Sequence, residues 1–249
     1  MKAIILAAGY GTRLRPLTHY VPKALVDVAG RPVIEHLLDK IEELGCIDTI
    51  YLISNNYYYL QFQRWLNGLD KNAYSFTIEI INDGTNNENE RLGAIGDKML
   101  AIKQKDLHCD LLDISSDNIF DFSIKPMLKM FKEKNACVIG TYDVGSLELA
   151  KKYGIVAVDE NNKIIDFQEK PAEPKSTLAS TGIYLYPKKT LKLLEEYANA
   201  GHALDAPGLF IQWLHKRTDV YAHTFKGKWF DIGSMECLER ARSELKCAH

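Results

Sequence analysis

The sequence predicts an α/β fold, with a mostly parallel, mixed central sheet, helices on both faces and a smaller β-rich lobe. Three observations support this class. The chain of 249 residues opens with a short apolar run that ends in glycine, apolar and amphipathic segments alternate over the first 115 residues, and strand-like segments dominate beyond residue 121. With 46% hydrophobic and 26% charged residues, the composition is that of a globular domain.

The first half is predicted to alternate between strands and helices. Residues 2–8 have the continuous apolar character of a parallel strand buried on both faces, and Arg31-Pro32 begins an amphipathic helix that Gly45 ends. The periodicity then predicts strands at 47–54, 75–81 and 110–115, and helices at 57–67 and 94–105. Ligands bind at the carboxyl ends of strands in such folds, so we expect the Gly9 loop and Asp117 to lie near one another.

In the second half, the predicted strands and helices no longer alternate regularly. Residues 154–158 and 163–168 predict a hairpin joined by Glu160-Asn161-Asn162. The remaining predicted elements are helices at 124–134, 187–199, 207–215 and from Ser234, and strands at 136–142, 179–186 and 219–224. Because no flexible linker or internal repeat interrupts the chain, we expect one domain, 1–249, made of two lobes at 1–120 and 121–249.

Charge and cysteine usage exclude several classes of protein. Lys and Arg number 31 against 33 for Asp and Glu, a net charge of −2, so no bulk positive field is available for nucleic acid or an anionic membrane. The apolar segments fall short of the roughly 20 residues of a membrane-spanning helix, and we expect a cytoplasmic protein. The five cysteines stand singly, which argues against a disulfide framework and a zinc site; they are Cys46, Cys109, Cys137, Cys237 and Cys247.

A glycine-containing loop after the first strand is the strongest chemical signal. Gly9 and Gly11 let the backbone turn sharply and bring amide groups close to an anion, Thr12 adds a hydroxyl, and Arg13 and Lys23 add positive charge. The loop lacks both the third glycine of a dinucleotide fingerprint and the Gly-Lys-Ser/Thr of a P-loop. We therefore interpret it as a different kind of polyphosphate loop.

The segment Leu6-Ala7-Ala8-Gly9-Tyr10-Gly11-Thr12-Arg13-Leu14-Arg15-Pro16-Leu17-Thr18, followed by Pro22-Lys23, resembles the signature of the sugar-1-phosphate nucleotidylyltransferases. This resemblance implies a Rossmann-like nucleotidyltransferase fold, with a nucleotide-binding first lobe and a sugar-phosphate-binding second lobe. It implies that Arg13 and Lys23 are catalytic and steady the departing pyrophosphate. The residues that it implies for binding of the nucleoside triphosphate are Leu6, Ala8, Gly9, Gly11, Thr12, Arg13, Lys23 and Gly93.

Two aspartates far apart in sequence are candidate metal ligands. Asp117 follows a predicted strand, and Asp231 lies in Trp229-Phe230-Asp231-Ile232-Gly233; each alone could equally be a turn or cap residue. They match the G-D-N and W-x-D-x-G elements of the family, with Ser116 in the place of the glycine. The resemblance implies that both bind Mg²⁺, a cation that takes oxygen ligands, and that Asn118 contacts the substrate.

The β-rich half carries the candidate sugar-binding residues. Tyr153-Gly154, Glu169-Lys170-Pro171 and Thr181-Gly182 match the family's Y-G, E-K-P and T-G elements. A carboxylate accepts hydrogen bonds from sugar hydroxyls and a lysine attracts a phosphate, so the resemblance implies a sugar-phosphate pocket with Lys170 also catalytic. Without that context, Glu169 and Lys170 would be an ordinary exposed ion pair in a hairpin.

Recognition of the base stays open. The segment between the third strand and the next helix, residues 82–97, contains four asparagines, and Arg91 stands where the family usually has a glycine. These side chains could read a base or a ribose, but a polar loop has the same composition.

The predicted reaction is direct attack of a sugar 1-phosphate on the α-phosphorus of a nucleoside triphosphate, without a covalent intermediate. By analogy, the substrates are glucose 1-phosphate with dTTP or UTP. The alternatives are a phosphocholine-type cytidylyltransferase, and a non-catalytic regulatory subunit that senses nucleotide sugars. We expect a stand-alone transferase without the left-handed β-helix of bifunctional relatives, and a homo-oligomer is among the expected states because oligomers are common in the family.

Overall fold

The computed structural model describes residues 1–70 and 72–245, so Cys247 and His249 lie outside the described residues. The chain forms two compact units. Unit 1 consists of Met1–Arg91, Ser115–Ser123 and the C-terminal segment from Gly227, and unit 2 consists of Leu92–Ile114 and Ile124–Lys226. Each unit is therefore assembled from segments that are distant in sequence.

The described residues contain the following strands: β1 Lys2–Leu6, β2 Asp27–Val28, β3 Arg31–Pro32, β4 Thr49–Ser54, β5 Thr77–Asn82, β6 Leu111–Ser115, β7 Asn118–Phe120, β8 Cys137–Asp143, β9 Gly154–Val158, β10 Ile164–Glu169, β11 Leu178–Tyr186, β12 Val220–Phe225 and β13 Trp229–Asp231. The α-helices are α1 Val33–Glu42, α2 Tyr59–Gly68, α3 Gly93–Gln104, α4 Lys125–Lys134, α5 Leu147–Ala150, α6 Thr190–Asn199, α7 Pro207–Leu214 and α8 Met235–Glu244.

Unit 1 contains three parallel strands in the order β1-β4-β5, with Lys2 opposite Thr49 and Thr49 opposite Thr77. Every residue of β4 is buried, which explains its uninterrupted apolar character. Two short antiparallel ribbons, β2 with β3 and β7 with β13, complete the strands of this unit. Helix α1 buries one apolar face, as its sequence periodicity predicts.

Unit 2 is mainly antiparallel. Strands β10, β9, β11 and β6 follow one another in that order, β8 pairs antiparallel with β11, and β12 pairs parallel with β8. Strands β9 and β10 form the predicted hairpin. Helix α7 packs against β10, and this contact places the first turn of the helix beside the end of that strand.

The predicted α/β class and the longer predicted elements are confirmed. Sequence periodicity missed α5 and the ribbons β2–β3 and β7–β13, because two to four residues are too few to show a period. In the described part of the chain, no helix is both long enough and apolar enough to cross a membrane.

Candidate active site

The glycine loop begins where β1 ends. Two hydrogen bonds hold the residues that follow β1: the Ala7 amide donates to the Ile53 carbonyl at 2.9 Å, and the Asn55 side-chain amide donates to the Ala8 carbonyl at 2.8 Å. These bonds fix the entry to the loop within unit 1.

The two glycines of the loop differ in what surrounds them. Gly11 has φ +60°, and an added Cβ would lie 2.8 Å from Thr18 Cγ2, so the fold itself demands glycine there. At Gly9 an added Cβ would meet no protein atom within 4 Å. Gly9 is exposed, so its backbone is open to close approach by a ligand.

A lysine and an aspartate 94 positions apart form the centre of the cluster in unit 1. Lys23 Nζ donates to Asp117 Oδ2 at 2.6 Å, and the two side chains are only 16% and 26% exposed. Burial alone would raise the pKa of Asp117, but the charges of Lys23 and Arg13 outweigh it and hold that pKa below its ordinary value. Asp117 is therefore an ionised carboxylate at neutral pH.

Arg13 and Asp231 both lie close to Gly233. A Cβ on that glycine would lie 3.1 Å from Arg13 Nη2 and 3.2 Å from Asp231 Oδ1. The absence of a side chain at residue 233 thus leaves room for a guanidinium and a carboxylate at close quarters.

The β7–β13 ribbon connects the segments of the two aspartates, since Asp231 ends β13 and Asp117 directly precedes β7. Asp231 is paired with Asn118, and the Ile232 amide donates to the Asp117 carbonyl at 2.9 Å. The Ser116 amide donates to the Leu6 carbonyl at 3.2 Å, which ties this turn to the end of β1. Apolar side chains next to the polar residues share one buried cluster that includes Leu14, Ile119, Phe230 and Ile232. The structure therefore brings Arg13, Lys23, Asp117 and Asp231 together within unit 1.

Asn118 is 2% exposed, and its side chain both accepts and donates a hydrogen bond. Its Oδ1 accepts from the Trp229 indole at 2.6 Å, and its Nδ2 donates to the Ser115 carbonyl at 3.1 Å. The amide thus links the segments that carry Asp117 and Asp231. Its predicted contact with substrate stays a prediction.

In unit 2, Glu169 is the predicted sugar-binding residue with the most distinctive surroundings. Its side chain is 16% exposed, and Lys170 Nζ is 4.0 Å from Oε1. No hydrogen bond from residues 1–70 or 72–245 reaches this carboxylate; its backbone amide donates to Gln212 Oε1 at 3.3 Å. Burial raises the pKa of Glu169, and Lys170 opposes that shift only in part.

The neighbours of Glu169 in the sequence motifs have clear local roles. Gly154 is paired with Glu169, and an added Cβ would lie 2.6 Å from the Phe167 ring and 3.0 Å from Glu169 Oε2. Lys170 has φ +46°, donates its amide to the Tyr153 carbonyl at 3.0 Å and keeps a 62% exposed side chain. The lysine ammonium is thus accessible to an anion.

Thr181 and Gly182 lie within β11. Thr181 is 3% exposed, and its hydroxyl donates to the Gly140 carbonyl at 3.1 Å. Gly182 has φ +76° and falls where the pairing of β11 with β8 shifts register. The structure therefore gives both residues a part in the strand geometry, and their predicted contact with sugar stays a prediction.

Gly93, a predicted nucleotide-binding residue, begins α3 with φ +79°. The next two amides are already bonded, since Ala94 donates to the Asp205 carbonyl at 3.2 Å and Ile95 to the Leu204 carbonyl at 2.9 Å. The sequence did not indicate that Leu204 and Asp205, before α7, accept these hydrogen bonds. The acceptors are backbone carbonyls, which every residue has, so no residue type reveals them.

The polar loop after β5 is ordered by its own side chains. Asn87 accepts from the Asn89 amide and caps a short helix, Glu88–Glu90, while the Asn86 amide donates to Glu90 at 2.8 Å. The side chains of Asn82, Asn86 and Asn87 are thus hydrogen-bonded, those of Asn82 and Asn86 in part to Asn56, and the choice between base reading and a polar loop stays open.

Parallel strands that end in a glycine loop, with two cations and two carboxylates gathered beside it, are the features of a protein that handles a polyphosphate on an α/β fold. Comparison with known proteins identifies the family to which the chain belongs. The family model described as nucleotidyl transferase matches residues 2–247, and the chain belongs to that family.

Relatives and solved structures agree with this assignment. A UTP–glucose-1-phosphate uridylyltransferase of Synechocystis sp. is 33% identical over 245 residues, which are 94% of this chain and 61% of that protein. This chain therefore spans about three fifths of that relative's length. A crystal structure assigned as a glucose-1-phosphate thymidylyltransferase of Bacillus anthracis has a TM-score of 0.80 and 27% identity over 98% of this chain and 94% of that one. A UDP-glucose pyrophosphorylase shares the fold, with a TM-score of 0.82 at 20% identity over 98% of this chain and 97% of that chain.

Proposed function

We propose that this protein transfers a nucleotidyl group from a nucleoside triphosphate to a sugar 1-phosphate, forming a nucleoside diphosphate sugar and pyrophosphate. Glucose 1-phosphate with UTP or dTTP are the proposed substrates, since the relatives named above are a uridylyltransferase and a thymidylyltransferase of glucose 1-phosphate. Family membership supports nucleotidyl transfer, and the site residues support the way in which it is carried out.

The observation that carries the proposal is the cluster in unit 1. Lys23 reaches Asp117 at 2.6 Å, and Arg13 and Asp231 both lie close to Gly233, beside a loop whose Gly9 backbone is open. Positive and negative groups gathered at one loop suit a triphosphate with its counterion.

The chemistry needs charge placement more than proton transfer. The attacking phosphate is anionic at neutral pH, so no strong general base is required, and the departing pyrophosphate carries the charge that must be stabilised. We assign Arg13 and Lys23 to the triphosphate, and the exposed ammonium of Lys170 to the incoming phosphate.

Asp117 and Asp231 fit a magnesium ion. Mg²⁺ is usually held by one or two carboxylates together with substrate phosphates and water, and the carboxylates here lie on adjacent segments of the β7–β13 ribbon. When bound, the ion would neutralise phosphate charge and orient the reacting groups.

Glu169 is the proposed acceptor for sugar hydroxyls. Its side chain is 16% exposed and the described residues donate no hydrogen bond to its carboxylate, so the carboxylate oxygens are available to accept hydrogen bonds from a ligand. Hydroxyl groups of a bound sugar would supply such donors.

A matrix of nucleoside triphosphates against sugar 1-phosphates and phosphocholine, with and without Mg²⁺ and with pyrophosphate release as the readout, tests the proposal. We expect release with a hexose 1-phosphate in the presence of Mg²⁺. Turnover of phosphocholine alone would identify a different acceptor, and no release with any pair would contradict the proposed activity.

A further inference from the structure

The carboxylate of Glu169 lies against the first turn of α7. A Cβ built on Gly208 would be 1.9 Å from Glu169 Oε2, which is far inside the distance that real atoms tolerate. Gly208 does not have a positive φ, so its backbone conformation does not require glycine. The carboxylate can occupy this place because residue 208 has no side chain, and a Cβ there would force the end of the Glu169 side chain to move.

Other contacts hold Glu169 in the same place. The Gln212 side chain, one turn further along α7, accepts from the Glu169 amide at 3.3 Å. Phe167 packs on both Gly154 and Gly208, with ring atoms 2.6 Å and 3.0 Å from the Cβ positions that those glycines lack. The carboxylate is thus confined between two glycines, one on β9 and one on α7.

The segment that precedes α7 is equally tightly fitted at its other end. A Cβ on Gly93 would lie 2.5 Å from the Leu204 carbonyl oxygen, and the carbonyls of Leu204 and Asp205 accept from the first amides of α3. The chain between Leu204 and Gly208 is therefore in close contact with the predicted nucleotide-binding glycine, Gly93, and with the predicted sugar-binding carboxylate of Glu169.

We propose that Gly208 is a positioning residue for Glu169, and that it fixes where this carboxylate meets the hydroxyl groups of the sugar. The proposal rests on the proposed function, because it takes Glu169 as the sugar-binding acceptor. A methyl group at position 208 displaces the carboxylate without removing it, and an acceptor displaced by about 1 Å can cost up to about 10²-fold in rate. Gly208 thereby determines affinity for the sugar phosphate without touching it.

The test is a double-mutant cycle of Gly208→Ala and Glu169→Ala, read by the kcat and the separate KM values for the two substrates and by the thermal midpoint. Gly68→Ala is the matched control, since that exposed glycine at the end of α2 has no atom within 4 Å of an added Cβ. We expect Gly208→Ala to raise the KM for the sugar phosphate about ten- to hundredfold while the KM for the nucleotide changes less than about twofold.

The cycle separates positioning from general damage. In the Glu169→Ala background, Gly208→Ala should add less than about threefold, because the carboxylate that it displaces is gone. The proposal would be overturned if Gly208→Ala raised the KM for the sugar phosphate as much in the Glu169→Ala background as in the unmodified protein. It would also be overturned if Gly208→Ala alone left that KM unchanged. If Gly208→Ala alone fails to fold, folding of the double variant supports the clash with Glu169, whereas failure of both variants refutes it.

Failure of the proposed function has a different signature. If Glu169→Ala leaves the KM for the sugar phosphate unchanged, Glu169 is not the sugar-binding acceptor, and the positioning role falls with that assignment. The thermal midpoints of the cycle still measure the contact between positions 169 and 208.

Discussion

Replacing Lys98 with methionine should destabilise unit 2 strongly. Lys98 on α3 and Asp113 on β6 form an ion pair of 2.5 Å in which both side chains are 0% exposed. The lysine also donates to the Tyr186 hydroxyl at 3.3 Å and lies 4.7 Å from the centre of that ring. Lys98→Met removes the only charge paired with Asp113 among the described residues and leaves its carboxylate in an apolar interior.

The size of the effect follows from this complete burial. Removing one partner of a buried pair costs about 3–5 kcal/mol, which corresponds to a fall in Tm of roughly 6–20 °C for a chain of this size. Thermal and urea unfolding followed by circular dichroism would measure it. Lys129→Met is the control, since Lys129 pairs with Glu133 at 3.9 Å while 79% exposed and should cost no more than about 0.5 kcal/mol.

A double replacement tests the electrostatic reasoning directly. Lys98→Met with Asp113→Val exchanges both charges for apolar groups, and it should recover at least half of the loss because no unpaired charge remains. If Lys98→Met costs no more than the exposed control, or if the double variant is as unstable as the single variant, the charge on Asp113 is not what makes the loss severe.

Four further changes have defined outcomes. Trp229→Phe removes the donor to Asn118 and should lower the free energy of unfolding by about 1–3 kcal/mol, measured by urea unfolding, and should weaken Mn²⁺ binding. Lys23→Met frees the carboxylate that the ammonium neutralises, so the Kd for Mn²⁺ without nucleotide, measured by calorimetry, should fall by about tenfold while pyrophosphate release slows. Gly9→Ala should change stability by less than about 0.5 kcal/mol yet raise the KM for the nucleotide. Because burial raises the pKa of Glu169, the KM for the sugar phosphate should rise as pH falls, starting above the ordinary titration range of a glutamate, since the protonated carboxyl loses acceptor capacity.

Each of these expectations can be contradicted. Unchanged Mn²⁺ affinity in Trp229→Phe would deny the link between the ribbon and the metal, and weaker Mn²⁺ binding in Lys23→Met would mean that the lysine does not compete for the site. An unfolded Gly9→Ala protein would show that the fold requires this glycine. A flat KM profile for the sugar phosphate between pH 8 and pH 5 would exclude titration of Glu169 in sugar binding.

The long elements of the fold were predictable because their periodicity is strong. Strand β4 is buried throughout and α1 has one apolar face, and both patterns are legible from residue types alone. The β7–β13 ribbon was not predictable, since each strand has three residues and the partners are 111 positions apart at Asn118 and Trp229.

The polar and charged side chains of the candidate site were predictable from the sequence, but the close contacts that position them were not. The glycine loop and the two aspartates stand out as motifs, whereas the role of Gly208 depends on a distance to Glu169 that no local pattern encodes. The buried pair of Lys98 and Asp113 was missed for a related reason, because a charged residue in an amphipathic helix is ordinarily a solvent-facing one.

The order of segments along the chain has a consequence for protein synthesis. Unit 2 ends at Lys226, whereas unit 1 needs the segment from Gly227 onward, which contains Asp231 and the tryptophan that donates to Asn118. A nascent polypeptide still attached to the ribosome therefore possesses every segment of its antiparallel unit before it possesses Asp231, the second of the two proposed metal ligands. A prematurely released chain that lacks Asp231 would retain Arg13 and Lys23 but could not form the carboxylate pair.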